Sequence, residues 1–294
     1  MRQFIAQKII TDWLWGMPWV AQSLLALRQH YDPVTDRGAY VVQVFRQHAH
    51  TSLLATGRRS MDGWQVLEIG PGGNVAVSGL MLLVGASHAF CLDIVPWNKA
   101  DNEAVLAAAI SALMQSEDAT LVSERYQAQA SADPAGLAAE LLQHVKYICP
   151  ASITTCDLPD SVVDYIFSQA VFEHVHDPAK GWQQIARLLR PGGVTTHQID
   201  LRDHRNPDRP HDHLQFSDQV WQMANNHSPF AVRNRWRLSD YREALATNTL
   251  RLVTIEKTRT QPVASDVKLH PTFKARSRED LETIDIFVVA VKDG

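Results

Sequence analysis

The stretch Val66-Leu67-Glu68-Ile69-Gly70-Pro71-Gly72-Gly73-Asn74 decides the fold. Its first four residues have strand character and run straight into a glycine-rich turn, after which Val75 to Val84 read as a helix. Glycine lacks a Cβ and accepts positive φ, so the chain turns sharply there and a bound group can lie against backbone. Such a turn alone does not name the ligand. The next apolar run, Phe90-Cys91-Leu92-Asp93-Ile94-Val95, carries an acidic residue near its end. Asp93 follows Gly70 at about the 20-residue spacing at which a βαβ unit sets a carboxylate against a ribose. A carboxylate there accepts hydrogen bonds from both ribose hydroxyls. To this point a nicotinamide or flavin enzyme fits equally well. The turn departs from G-x-G-x-x-G, however, because Val stands at position 75. Glu68 also sits badly beside a pyrophosphate and suits a ligand with a cationic end.

Further along, Thr155-Cys156-Asp157-Leu158-Pro159-Asp160-Ser161-Val162-Val163-Asp164-Tyr165-Ile166-Phe167-Ser168 leads into Gln169-Ala170-Val171-Phe172-Glu173-His174-Val175. Asp177-Pro178, an amphipathic stretch from Gly181 to Arg190, and Pro191-Gly192-Gly193-Val194 follow. In these four motifs, taken in order from about Val66 to Asp200, the chain resembles the class I S-adenosylmethionine-dependent methyltransferases, in particular their small-molecule branch. The resemblance implies S-adenosyl-L-methionine as cofactor. It implies that Glu68, Gly70 and Gly72 line the amino-acid end of that molecule, with Glu68 near its ammonium group, and that Asp93 holds the ribose hydroxyls. Asp157 and Leu158 would flank adenine. Ser168 and Gln169, closing the fourth strand, would face the methionine moiety and the entering acceptor. Asn74 stands where the family often has a third glycine and receives no ligand role.

Several of these residues also have plain structural readings. Asp157, before Leu-Pro, can simply start a turn. Asp164 opens an apolar strand, where a structural role fits better than a catalytic one. Glu173 and His174 fall at a helix start, where Glu complements the dipole and His serves in packing or capping. Asp93 has little structural reason to close an apolar strand.

The implied fold is α/β: a doubly wound, mostly parallel, seven-stranded Rossmann-like sheet with an antiparallel C-terminal hairpin and helical lid insertions. Strands are expected at about Tyr147 to Thr155, Val163 to Ser168 and Val194 to Ile199. Leu250 to Thr260 and Ile284 to Val291 would form the closing hairpin. Residues 1–60 read as helical, broken at Tyr31-Asp32-Pro33, and residues 61–294 as the cofactor-binding domain. Within that domain the Ala- and Leu-rich stretch at about 101–145 reads as a helical insertion beside the cofactor pocket, and about 201–245 as an insertion on the acceptor side. No repeat or low-complexity tract interrupts this single domain.

A chain of 294 residues can bury an ample core. Its net charge of −4 argues against general nucleic-acid binding. Cys91, Cys149 and Cys156 show no metal-ligand spacing and read as reduced thiols of a cytoplasmic protein. Residues 4–27 are apolar and hold Trp13, Trp15 and Trp19, but Asp12, Gly16 and Pro18 break any spanning helix. No small-residue cleavage site follows a short apolar core, so neither a transmembrane segment nor a signal peptide is expected. The segment is read as a lid over the cofactor in preference to a membrane-surface helix.

The fifth strand ends in Thr196-His197-Gln198-Ile199-Asp200-Leu201-Arg202-Asp203-His204-Arg205, where an open α/β sheet binds its ligands. If a hydroxyl is methylated, a base must take its proton, and a His oriented by a carboxylate does this at neutral pH. His197 with Asp200, or His204 with Asp203, offers such a pair, and His204 is preferred because Asp200 lies opposite His197 on a strand. Arg233, Arg235 and Arg237 alternate and, with Arg202, Arg205 and Arg209, offer an anion-binding mouth. Surface pairing with the many acids is the competing reading for these arginines. The His and Asp residues of this region lack tight metal spacing, and no metal is expected. The expectation is therefore an oxygen-directed methyltransferase acting on a small molecule or glycan, with His204, His197 and Asp203 as candidate catalytic residues and Arg202, Arg233 and Arg235 as candidate acceptor contacts. A non-catalytic protein that binds S-adenosylmethionine, and a nicotinamide-dependent oxidoreductase, are the alternatives.

Overall fold

The computed structural model describes residues 2–28, 38–96, 101–206, 208–228 and 230–294. The expected break at 31–33 lies outside them. Seven strands form one sheet: β1 (Gln65–Ile69), β2 (His88–Leu92), β3 (Val145–Ile148), β4 (Val163–Gln169), β5 (Leu189–Asp200), β6 (Leu250–Thr260) and β7 (Thr283–Lys292). Their order is β3-β2-β1-β4-β5-β7-β6. The first five are parallel, and β7 runs antiparallel between β5 and β6. The order reverses between β1 and β4, which is where such a sheet opens a crevice for a ligand.

The helices, in chain order, are α1 (Arg2–Trp15), α2 (Pro18–Arg28), α3 (Gly38–Thr56), α4 (Ala76–Leu83), α5 (Asn102–Met114), α6 (Glu124–Ala132), α7 (Pro134–Leu142), α8 (Pro178–Leu188), α9 (Asp218–Met223), α10 (Leu238–Thr247), α11 (Pro271–Lys274) and α12 (Arg278–Glu282). Local chemistry starts several of them. Asp133 and Asp177 accept from the backbone N–H groups of Gly136 and Lys180, and each is followed by proline at the first helical position. In α8, Trp182, Ile185 and Ala186 are buried at helical spacing, so one stripe faces the sheet.

Two cores flank the sheet. One packs α3, α4, α5 and α7 against Val66, Ala89, Tyr165 and Phe167; the other packs α8 and α10 against Leu67, Ile166, Val288 and Ala290. Adjacent strand residues point to opposite faces, which divides Phe167 from Ile166. This division corrects three expected boundaries. Residues 1–60 are not one lid, because Val41, Phe45 and Ala49 of α3 are core residues of the sheet domain. The stretch 101–145 supplies the helical layer itself, with Leu106, Ile110, Leu113 and Leu137 fully buried. The acceptor-side insertion ends earlier than 245, since α10 returns to the core through Leu238, Tyr241 and Leu245. The expected strand at 147–155 is shorter and earlier, ending at Ile148 just before Pro150, which has no N–H for a ladder. Conversely β5 begins at Leu189, and Pro191-Gly192-Gly193 lies inside it beside a register irregularity at Val163/Tyr165.

Candidate functional site

The glycine turn joins β1 to α4 at the crevice. Gly70 has φ +66°, and a Cβ there would meet Val171 Cγ2 at 2.7 Å, so the position needs glycine for both conformation and space. Gly72 has φ +69° but faces open space, with nothing within 4 Å of where its Cβ would be. That opening is a cradle into which a ligand can press against backbone. The first N–H groups after the turn are not offered to it. Val75 N donates to Asn102 Oδ1 at 3.0 Å, and Ala76 N donates to Asn74 Oδ1 at 3.0 Å. Asn74 thus caps the start of α4, which explains a residue the sequence left without a role. With those donors satisfied by side chains, the helix start is not arranged as the pyrophosphate site of a dinucleotide-binding fold.

Glu68 lies behind the turn, 5% exposed, and accepts from Ser78 Oγ at 2.6 Å. Burial pushes its carboxyl up to about 7. A cationic ligand end nearby would draw it back to the charged form. Asp93 follows β2, and its carboxylate accepts from backbone: Val95 N donates to Oδ1 at 3.0 Å and Gly72 N to Oδ2 at 3.4 Å, with Ile94 as a further backbone donor. A carboxylate has about four acceptor sites, so capacity remains beyond these bonds. Burial raises the Asp93 carboxyl above the usual carboxylate range.

Gly70 and Asp93 form one wall of a cavity of about 240 Å³. Ile94, Ile153, Val171 and Val175 give it apolar sides; Ser152 and Thr154 add hydroxyls, and His174 and Arg233 also line it. Apolar walls with a few polar groups fit a flat base. The expected adenine contacts move accordingly. Asp157 is exposed, Leu158 gives its carbonyl to Arg187 Nη1 at 2.7 Å, and neither lines the cavity. Ser152 and Ile153 line it instead, because β3 ends early and brings the loop after Pro150 to the crevice.

At the ends of β4 and β5 the structure regroups the candidate residues. Ser168 is fully buried and bonds His197 Nδ1 at 2.7 Å, while Thr195 Oγ1 meets His197 Nε2 at 2.6 Å. Both ring nitrogens of His197 are engaged, and Phe172 and Trp182 pack edge-on against the ring. Burial drives its pKa well below the usual histidine value. His197 is therefore a neutral core histidine and not the expected catalytic base, and Ser168 faces it, not the methionine moiety. Gln169 points to the opposite face, where its Oε1 accepts from His48 Nε2 at 3.0 Å. Ala170, next in the chain, has φ +54°, a sparsely populated conformation for a non-glycine residue.

His204 pairs with Asp200 (Nε2 to Oδ2 3.3 Å) and not with Asp203. Asp203 is buried and binds Arg205 instead. The His204 ring stacks edge-on against His174, with centroids 5.4 Å apart. His174 bonds Ala231 O through Nδ1 at 2.9 Å and lines the cavity. A carbonyl only accepts, so Nδ1 carries the proton and Nε2 is the free lone pair. Burial lowers the His174 pKa to about 4, so the ring is neutral at neutral pH.

The arginine mouth is also rearranged. Arg202 is held by Asp200 (2.5 Å) and Arg235 by Asp218, so neither is open to an acceptor in the way the alternating pattern predicts. Arg237 is fully buried among the carbonyls of Leu201, Asp280, Leu281 and Thr283. Arg233 alone of the three expected acceptor contacts lines the cavity. Among the described residues no three His, Cys, Asp or Glu side chains are grouped as metal ligands, and no helix is long and apolar enough to cross a membrane.

Residues 104–196 match the family described as a methyltransferase domain. No curated protein sequence matches the chain. Among solved structures, an S-adenosylmethionine-dependent methyltransferase from Mesorhizobium loti is 14% identical, over 79% of this chain and 93% of that one, with a TM-score of 0.43. One from Aquifex aeolicus is 12% identical over 79% and 85%, with a TM-score of 0.39. A chain of the Haloferax volcanii complex between the Trm112 methyltransferase activator and a methyltransferase is 17% identical over 90% and 99%, with a TM-score of 0.43. The match over residues 104–196 supports a class I S-adenosylmethionine-dependent methyltransferase, and the glycine turn, Asp93 and the 3-2-1-4-5-7-6 sheet outside or around it agree with that class. S-adenosyl-L-methionine is the cofactor of that class. The cradle at Gly72, the spare acceptor sites of Asp93 and the apolar-walled cavity fit it.

Proposed function

We propose that the protein transfers the methyl group of S-adenosylmethionine to an oxygen of a small molecule or glycan. The observation that carries this reading is a single cavity lined by Gly70, Asp93 and a neutral, tautomer-fixed His174. Asp93 holds the ribose, the 151–154 loop and Val175 enclose the base, and the Gly70–Gly72 turn meets the amino-acid end with Glu68 behind it. Ser168 and Gln169 act from beneath, fixing the strand ends through His197 and His48. Methyl transfer then requires the acceptor oxygen to lie in line with the sulfonium carbon, which is chiefly a matter of positioning. Bound S-adenosylmethionine would supply the methyl group and leave as S-adenosylhomocysteine, and His174 Nε2 would take the hydroxyl proton. His204 lies against the His174 ring, and Asp200, its partner, supplies the negative charge that favours the imidazolium that forms. Helix α1 is anchored on the acceptor side, where Asp12 accepts from the backbone of residues 226–228. The three free cysteines fit a reducing compartment such as the cytoplasm.

The test is transfer of a labelled methyl group from S-adenosylmethionine to small molecules or glycans of a cell extract. His174→Gln should lower turnover at least roughly tenfold, within the range general-base catalysis supplies, with affinity for S-adenosylhomocysteine unchanged. Full turnover in that variant removes His174 from proton transfer. Tight cofactor binding with no labelled product from any extract favours a binding protein without catalysis.

A further inference from the structure

Arg233 stands apart from the arginines around it. Arg202, Arg205, Arg209 and Arg235 each meet a carboxylate. Among the described residues, Arg233 has no carboxylate within ion-pair distance. Its Nη1 donates to Asn226 O at 2.7 Å and its Nη2 to Ser228 O at 3.1 Å. Those two bonds fix the plane of the guanidinium, and Asp12 supplies an opposing charge from across the loop without a direct ion pair. A guanidinium has five N–H donors, so donors remain for an oxyanion.

Its position is equally specific. Arg233 and His176 line both the cofactor cavity and a neighbouring groove of about 330 Å³. The groove also presents Arg235 and Arg276, but these are paired with Asp218 and Asp240 on its own walls. The net positive charge of the groove is thus that of Arg233, with Trp236 and Phe273 giving it an apolar side. Behind Arg233, the loop that holds it by carbonyls is held by its N–H groups. Asn226 N and His227 N donate to Asp12 Oδ2 at 2.9 and 3.0 Å, and Ser228 N to Asp12 Oδ1 at 3.0 Å. Asp12, 3% exposed on α1, and Arg233 therefore grip opposite edges of the 226–227 peptide group.

We propose that Arg233 is the receptor for an oxyanion, a carboxylate or a phosphate, carried by the methyl acceptor, and that Asp12 is a positioning residue that sets it through the 226–228 loop. This deepens the methyltransferase reading and rests on it. The body of the acceptor lies in the groove against Trp236, its anionic group at Arg233, and its methylated atom reaches into the cofactor cavity. The acceptor class is a small, partly apolar acid.

The full chain, saturated with S-adenosylhomocysteine, is titrated with phenyl phosphate, benzoate and inorganic phosphate by calorimetry. Saturable binding of at least one of the two aromatic anions is expected, and whichever binds more tightly assigns phosphate or carboxylate. Arg233→Gln, which keeps a donor for the loop carbonyls, should weaken that binding at least tenfold when measured at saturating S-adenosylhomocysteine. Arg233→Lys should fall between. Asp12→Asn should weaken it severalfold while the melting temperature reports how far the loop loosens. Equal binding by Arg233→Gln and the unsubstituted chain overturns the proposal, as does no binding of either aromatic anion. The same titrations without S-adenosylhomocysteine separate the two readings: anion binding lost in Arg233→Gln in a chain that never binds S-adenosylhomocysteine supports Arg233 and refutes the methyl-donor assignment.

Discussion

Replacing Asp93 by Ala removes the two ribose bonds proposed for its carboxylate; to a charged acceptor, at about 1.5 kcal/mol each, they amount to roughly 3 kcal/mol. At about 1.4 kcal/mol per tenfold, the dissociation constant for S-adenosylmethionine rises about 100-fold. Asp93→Asn keeps the shape and one acceptor oxygen, and should cost about tenfold, near 1.4 kcal/mol. Calorimetry on both variants gives the ratio, and circular dichroism checks that the turn still folds. The pH dependence follows from the same geometry. Burial raises the Asp93 carboxyl in the free protein, and ribose hydroxyls favour its ionised form. Affinity is therefore full at neutral pH and falls as pH drops through the raised value. An Asp93→Ala protein that binds the cofactor within threefold of the unsubstituted chain would refute the ribose assignment.

The two glycines of the turn should respond differently. Gly70→Ala collides with Val171 and should lower both stability and binding, whereas Gly72→Ala meets no protein atom. It should cost about 1 kcal/mol of stability for its positive φ yet impair cofactor binding severely; thermal melts with and without S-adenosylhomocysteine separate the effects. Glu68, at about 7 in the free protein, should release a proton when a cationic ligand binds near pH 6. Calorimetry in buffers of different ionisation enthalpy detects that release, and its persistence in Glu68→Gln would exclude Glu68 as the source. Burial depresses His48 and His211 to about 4, so between pH 4 and 6.5 the unfolded chain binds more protons than the folded one. Their contribution is fully present above 6.5 and is lost as pH falls to 4, on the order of 3 kcal/mol each; urea midpoints that do not move between pH 7 and pH 4.5 contradict this.

The sequence exposed the fold where a pattern has one physical solution. A strand running into Gly70-x-Gly72 and a carboxylate closing the next strand leave little freedom, and both features stand in the crevice. The four motifs to Gly193 identified the donor before any geometry was known. The adenine loop was misplaced by a few residues, because Asp157-Leu158 looks like a ligand pair in one dimension. Pro150, which cannot extend a ladder, was the signal that β3 ends early and that Ser152 and Ile153 reach the pocket. His197 and Arg237 failed as site residues for a different reason. Their partners, Ser168 and Thr195 for one and the carbonyls near 281 for the other, are set by tertiary packing that local spacing does not encode. His174 was legible only as a helix-start residue. Its bond to Ala231, distant in sequence, is what fixes its tautomer and turns it to the cavity.

The central claim is that the crevice at Gly70 and Asp93 holds S-adenosylmethionine and not a dinucleotide. Calorimetric titration of the full chain with S-adenosylmethionine, S-adenosylhomocysteine and a nicotinamide dinucleotide tests it most directly. The structure predicts one site per chain for the first two, and no binding of the third, because the helix start that would receive a pyrophosphate is capped by Asn74 and Asn102. Binding of the dinucleotide with none of either sulfur compound would contradict the account.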